Sequence, residues 1–278
     1  RWIGETATFP NGMVDRITPG TTDADRMLLA DEFGLSDGWP VITEPFRQWV
    51  IEDAFVAGRP PWEELDITVT GDVEPYELMK LRLLNAGHSS MAYLAALAGI
   101  EFVDEAMNEP VISRFLSRFL EQEAGPVLPN IPGIDVPAYQ ASLIKRFSNP
   151  AIGDQISRLC LDGSAKFPKF LLPTVRSQLR AGGPVTLSAL ALAGWCSYLV
   201  GIADDGSTIE HAADPDLATA RRLAVESLSD PAHFMTYQRV FGDDLPADDR
   251  FRAEFVNALS RLRSTGVRAT LGAVLNGF

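Results

Sequence analysis

Apolar residues recur at helical spacing along most of this chain. Residues 76–98 follow the 3.6-residue period with no internal proline. The same pattern predicts helices over 109–123, 136–147, 152–161, 166–180, 186–202, 215–227 and 250–264. Proline- and glycine-rich separators (GPVLPNIPGID, SNPAIGD, AGGPVT) end and cap them. The first third differs. Residues 37–55 set β-branched and aromatic residues around Pro40 and Pro45, which predicts short edge strands or a hairpin. GRPPW is a turn, and DITVT alternates like one more short strand. The expectation is a mainly α chain, with a mixed, β-containing opening region over residues 1–70 and a helical body over 71–278.

Residues 182–203 carry no charge, yet Thr186, Ser188, Cys196, Ser197 and interior glycines favour a buried core helix over a membrane span. The opening RWIGETATFPNG lacks an initiator methionine, a basic n-region and an apolar h-region. It reads as an extended segment in mid-course of a longer polypeptide, with no signal peptide.

A net charge of -13 argues against nucleic acid and anionic membrane surfaces as partners. Cys160 and Cys196 are too few for a disulfide framework, and apolar neighbours predict buried free thiols in a reducing cytoplasm. His88, His211 and His233 lie far apart and there is no CxxC, so no metal site is expected. GxGxxG, the P-loop and GxSxG are all absent, which predicts no unaided dinucleotide site and no serine hydrolase of the usual kind.

The segment YELMKLRLLNAGHSS holds the chemistry. On an α-helix Lys80, Leu84 and His88 rise along one line, Asn85 falls roughly 60° from His88, and Lys80 and His88 stand about 12 Å apart. Oxidising a secondary alcohol requires a base for the hydroxyl proton and an N–H donor for the oxygen as charge develops. A lysine serves as that base only when its ammonium is destabilised, for instance by desolvation among Met79, Leu81 and Leu84. Glu77 could pair with Lys80 or relay its proton, and the two are equally an ordinary i,i+3 pair on a polar helix face.

KLRLLNAGHSSMAYLAALAG resembles the K-x-x-x-x-N-x-x-H stretch of the polyol-specific long-chain dehydrogenases and reductases. FPNGMVDRITPGT, WPVITEPFRQWVIEDAF, RFSNPAIGDQISRL and DGSAKFPKF resemble further blocks of that family, in the family's order and across nearly the whole chain. The resemblance implies the multi-helix, 6-phosphogluconate-dehydrogenase-like C-terminal domain that binds substrate and performs catalysis. Lys80 would be the general acid/base, Asn85 would hold the reacting oxygen, and His88 would bind substrate. Asp15, Arg158 and Lys166 would contact the polyol's other hydroxyls. Members acting on mannitol fit best, so NAD-dependent, metal-independent interconversion of D-mannitol and D-fructose by a cytoplasmic monomer is implied.

The family's Rossmann domain, with a second oxygen-holding asparagine, precedes the FPN-x-MVDRIT block. The expectation is therefore that the Rossmann domain is absent from this chain, that NAD is bound mainly by that N-terminal domain, and that the chain alone is inactive. Two rivals stand beside this reading. A fructuronate- or tagaturonate-type sugar-acid reductase would want a bidentate arginine, and Arg158 alone offers itself among the matched positions, which favours a neutral polyol. A non-catalytic helical interaction module would have no call on Lys80, Asn85 and His88 together.

Overall fold

Two compact units divide the chain in the computed structural model, which describes residues 1 to 277. The first comprises Arg1–Lys80 with Ala151–Gly153, and the second Leu81–Pro150 with Asp154–Phe278.

The first unit is built on a three-stranded sheet in the order β1 (Gly12–Asp15), β2 (Gln48–Glu52), β3 (Thr68–Thr70). β1 runs antiparallel to β2, with Gly12 opposite Ile51 and Asp15 opposite Gln48. β2 runs parallel to β3, with Val50 opposite Thr68. On β1 the period of two turns Met13 and Asp15 inward and leaves Gly12 and Val14 exposed. Instead of the expected extended start, residues Trp2–Thr6 form a short helix, α1. α2 (Asp23–Phe33) was not foreseen; Thr22 and Asp25 make a reciprocal capping box at its start and Gly34, at φ 64°, closes it. Of the short edge strands or hairpin expected in 37–55, one short strand forms among the described residues, and it lies at the centre of the sheet, not its edge. Pro40 and Pro45 offer no N–H to a ladder, and only Gln48–Glu52 becomes a strand, pairing with distant segments. α3 (Glu74–Met79) ends the unit's main stretch, with Pro75 in its first turn.

The second unit is helical: α4 (Ala86–Leu97), α5 (Val103–Asn108), α6 (Pro110–Arg118), α7 (Val136–Phe147), α8 (Ile156–Leu159), α9 (Gly163–Phe170), α10 (Leu172–Ala181), α11 (Thr186–Val200), α12 (Leu217–Glu226), α13 (Gln238–Phe241), α14 (Asp244–Ala247) and α15 (Asp249–Asn276). α11 is its axle. It is apolar all round, buries nearly every side chain and packs on α15, α4 and α12. A Cβ on Gly194 would lie 2.8 Å from Leu94 Cδ2, so glycine lets α11 press onto α4. Among the described residues no helix is long and apolar enough to cross a membrane.

Three boundaries depart from the periodicity for stated reasons. The helix expected over 152–161 shrinks to α8 because Gly153 adopts φ 60°. The one expected over 166–180 starts earlier and divides into α9 and α10 at Leu171, with Pro173 in the first turn of α10. α15 runs beyond 264 to Asn276 but breaks at Gly266 (φ 75°, ψ 177°), where Asp204 accepts the freed Val267 N–H at 2.6 Å. Cys160 and Cys196 are buried free thiols, as expected.

Candidate active site

The α-helical projection of residues 76–98 fails at its centre. α3 runs into a π-helical turn, Lys80–Asn85, before α-helical bonding resumes in α4. A π turn closes its hydrogen bonds over five residues and so takes up one more residue than an α turn. Residues five apart lie about 140° from each other on an α-helix. The α-helical projection therefore does not carry from Lys80, where the π turn begins, to Asn85, where it ends. Both are half-buried, whereas Glu77 is exposed. Among the described residues neither the Lys80 ammonium nor the Asn85 amide is engaged by another side chain.

His88 sits on α4 with its imidazole stacked on Phe147 of α7, ring centroids 4.0 Å apart and planes at 17°. Its Nε2 is shielded from solvent and has no hydrogen-bond partner, although other parts of the residue remain accessible. Burial, reinforced by the positive charges of Arg158, Arg146 and Lys166, holds His88 well below the usual histidine range. The ring is therefore neutral at neutral pH, with one nitrogen donating and the other accepting.

Those cations come from three elements of the second unit. Arg158, on α8, donates from Nε and Nη2 to the two oxygens of Asp154 at 2.6 and 2.5 Å. Asp154 is 4% exposed and Arg158 38% exposed along their side chains. The backbone around Asp154 is fixed by Val103 N–H on the Asp154 carbonyl and Ile156 N–H on the Glu101 carbonyl, both 2.9 Å. Lys166, on α9, reaches back to donate to the Leu159 carbonyl at 3.3 Å. Burial lowers its affinity for a proton, against the pull of Asp162. α9 itself is held by Asp214, which accepts from the Ser164 N–H at 2.7 Å and from its hydroxyl. Arg146, at the end of α7, is buried and makes interactions of its own.

The second unit thus brings together His88, Arg158 and Lys166, three of the residues expected from the sequence. It adds Arg146, Phe147 and Asp154, which sequence reasoning did not single out. All three lie in the RFSNPAIGDQISRL block, and the i,i+4 spacing of Asp154 and Arg158 was the available signal. Asp15 lies in the first unit, buried at the end of β1 and engaged by the protein. The remaining histidines have structural contacts: His211 with the Leu199 carbonyl and His233 with Glu226.

Residues 72–263 match the model of the mannitol dehydrogenase C-terminal domain, and residues 1–64 that of the mannitol dehydrogenase Rossmann domain. A mannitol 2-dehydrogenase of Phaeosphaeria nodorum is 44% identical over 97% of this chain and 47% of its own length. One from Aspergillus fumigatus is 41% identical over 99% of the chain and 55% of its length. The solved Pseudomonas fluorescens mannitol 2-dehydrogenase, a ternary complex with NAD and D-mannitol, superposes with a TM-score of 0.91 at 41% identity, over 99% of this chain and 56% of that one. The chain spans about half the length of the relatives it matches.

The match over residues 1–64 corrects two expectations. The Rossmann domain is not absent from this chain, because part of it is here. Assigning NAD to a domain wholly outside the chain therefore has no support. The expectation leaned on the missing GxGxxG, but that loop marks only the first strand–turn–helix of a doubly wound fold. A later segment of such a domain, such as the matched stretch that holds β2, need carry no glycine signature.

Proposed function

Because the chain belongs to the mannitol dehydrogenase family, we propose that it supplies substrate-binding and catalytic residues for NAD-dependent interconversion of D-mannitol and D-fructose. The carrying observation is the gathering, within the second unit, of a neutral His88 stacked on Phe147 with Arg158 and Lys166 about it. No glycine-rich phosphate loop lies in residues 1–278, so no residue here is assigned to the coenzyme's pyrophosphate. NAD, when bound, would supply the acceptor for the hydride leaving C2.

The other steps fall to side chains. Lys80, unprotonated, takes the C2 hydroxyl proton as the C–H bond breaks and the carbonyl forms. Asn85 donates an N–H to the oxygen as it becomes negative, which makes a metal ion unnecessary for that task. Neutral His88 both donates to and accepts from hydroxyls without adding charge. Asp15, Arg158 and Lys166 hold the remaining hydroxyls, and exposed Glu77 passes the Lys80 proton to water. In fructose reduction the Lys80 ammonium returns the proton. Buried thiols at Cys160 and Cys196 fit a reducing, cytoplasmic setting.

Lys80→Ala in the intact enzyme tests the assignment. Turnover should fall in both directions by about 10²–10⁴-fold, the usual contribution of a positioned acid/base. A small primary amine in the buffer should restore part of it by occupying the vacated space. Near-normal turnover in Lys80→Ala would place the base elsewhere.

A further inference from the structure

We propose that Asp154 sets the substrate specificity of this site: by engaging Arg158 it fits the site to a neutral polyol and against a ketose carrying a carboxylate. The inference rests on the polyol dehydrogenase reading and deepens it.

Arg158 is the residue a sugar acid would need. A guanidinium recognises carboxylate through two parallel N–H···O bonds, a geometry that brings both charge and direction. Here that geometry is already taken by the protein. Asp154 receives Nε and Nη2 at 2.6 and 2.5 Å, on a side chain that is 4% exposed and on backbone pinned to residues 101 and 103. Withdrawing Arg158 would strand a buried carboxylate, which is strongly unfavourable, so the pair persists when a ligand arrives.

What remains for the ligand is Nη1 and the outward hydrogen of Nη2, on a guanidinium whose charge is cancelled by its neighbour. A hydroxyl accepts such an N–H at no electrostatic cost. A carboxylate in the same place gains the hydrogen bond but lies close to the Asp154 charge, and like-charge juxtaposition of this kind is how sites reject a wrong partner. The other cations near His88 do not reverse the balance. Lys166 faces Asp162 and Asp154, and Arg146 has interactions of its own.

The test compares reduction of D-fructose with reduction of a keto-hexuronate of equal chain length at neutral pH. In both, hydride from NADH adds to the carbonyl carbon and Lys80 gives the oxygen its proton. Asp154→Asn should shift the ratio of kcat/KM towards the acid by about 10–100-fold, the worth of one charge-assisted hydrogen bond. Adding Arg158→Gln should abolish the gain, because it acts through the freed guanidinium. Asp154→Ser serves in the same way where the asparagine variant does not fold, with the thermal midpoint as the check. In the unaltered enzyme, a six-carbon sugar acid should inhibit fructose reduction more weakly than a neutral polyol of the same length. An unchanged ratio with both substrates slowed alike, or tighter inhibition by the acid, overturns the inference. Failure of the unaltered enzyme to reduce fructose would overturn the functional reading instead.

Discussion

Asn85 closes the π turn with an amide that can present two N–H donors. Asn85→Ala should lower turnover by about 10²–10³-fold, the usual cost of one donor to a developing oxyanion. The coenzyme's dissociation constant should hardly change. A variant that raised only the Michaelis constant for the polyol would assign Asn85 to ground-state binding. The spacing of Lys80, Asn85 and His88 is visible in the sequence, and so is their polarity among apolar neighbours. The π turn between Lys80 and Asn85 is not, because nothing in KLRLLN announces a change of helical register. Phe147 and Arg146 stayed hidden for a different reason. A ring stacked on His88 from α7 is a tertiary contact, and to a periodicity it is just another apolar position.

Among the elements, a second π turn, Phe119–Ala124, places Glu123 beneath the start of α11. Its carboxylate accepts from Leu187 N–H at 2.7 Å, Ser188 N–H at 2.8 Å and the Ser188 hydroxyl at 2.5 Å. Val185 before that helix offers no capping side chain, so the cap comes from another part of the fold. Burial pushes Glu123 up to about 7 even though the three donors favour its ionised form. Below pH 4.5, the ordinary value, folded and unfolded chains both hold the proton. Between there and about pH 7 the unfolded chain releases it first, so stability should decline as pH rises, by roughly 3 kcal/mol in all. Denaturant midpoints measured across that range should show the slope, and Glu123→Gln should flatten it. A slope that survives the substitution must come from other groups. The long periodic helices α7 and α11 were legible nearly to the residue, since their apolar faces dictate them. α2 and α5 were not: α2 buries none of its residues and α5 is only six long, so neither writes a period.

Over the whole molecule, exposed apolar side chains are unevenly shared. Trp2, Phe9, Met27, Phe33 and Trp39 of the first unit are all at least 60% exposed, whereas the second unit shows few comparable residues. Apolar surface of that extent binds hydrophobic dyes and promotes association. The chain on its own should therefore enhance the fluorescence of an anilinonaphthalene dye, and Phe33→Ser with Trp39→Ser should remove much of the signal. Leu228→Ser, in the second unit, should leave it nearly intact. Equal loss from all three changes would show the exposed patch to be elsewhere. The sequence sets a mixed opening over residues 1–70 against a helical body over 71–278, whereas the two units part after Lys80, inside a continuous run of helix where no change of pattern marks a boundary.

The axle helix has a cost that appears only when the fold opens. Residues 181–203 hold no charged side chain, so the protein's surplus of negative charge gives this stretch no repulsion of its own. Its nearest gatekeepers are Arg180 and Asp204 at the two ends. Once released by heat, copies of the segment should stick to one another faster than they find their way home. Inactivation on warming would then be irreversible, and its apparent midpoint would depend on heating rate, with the escape of α11 from its neighbours as the clock.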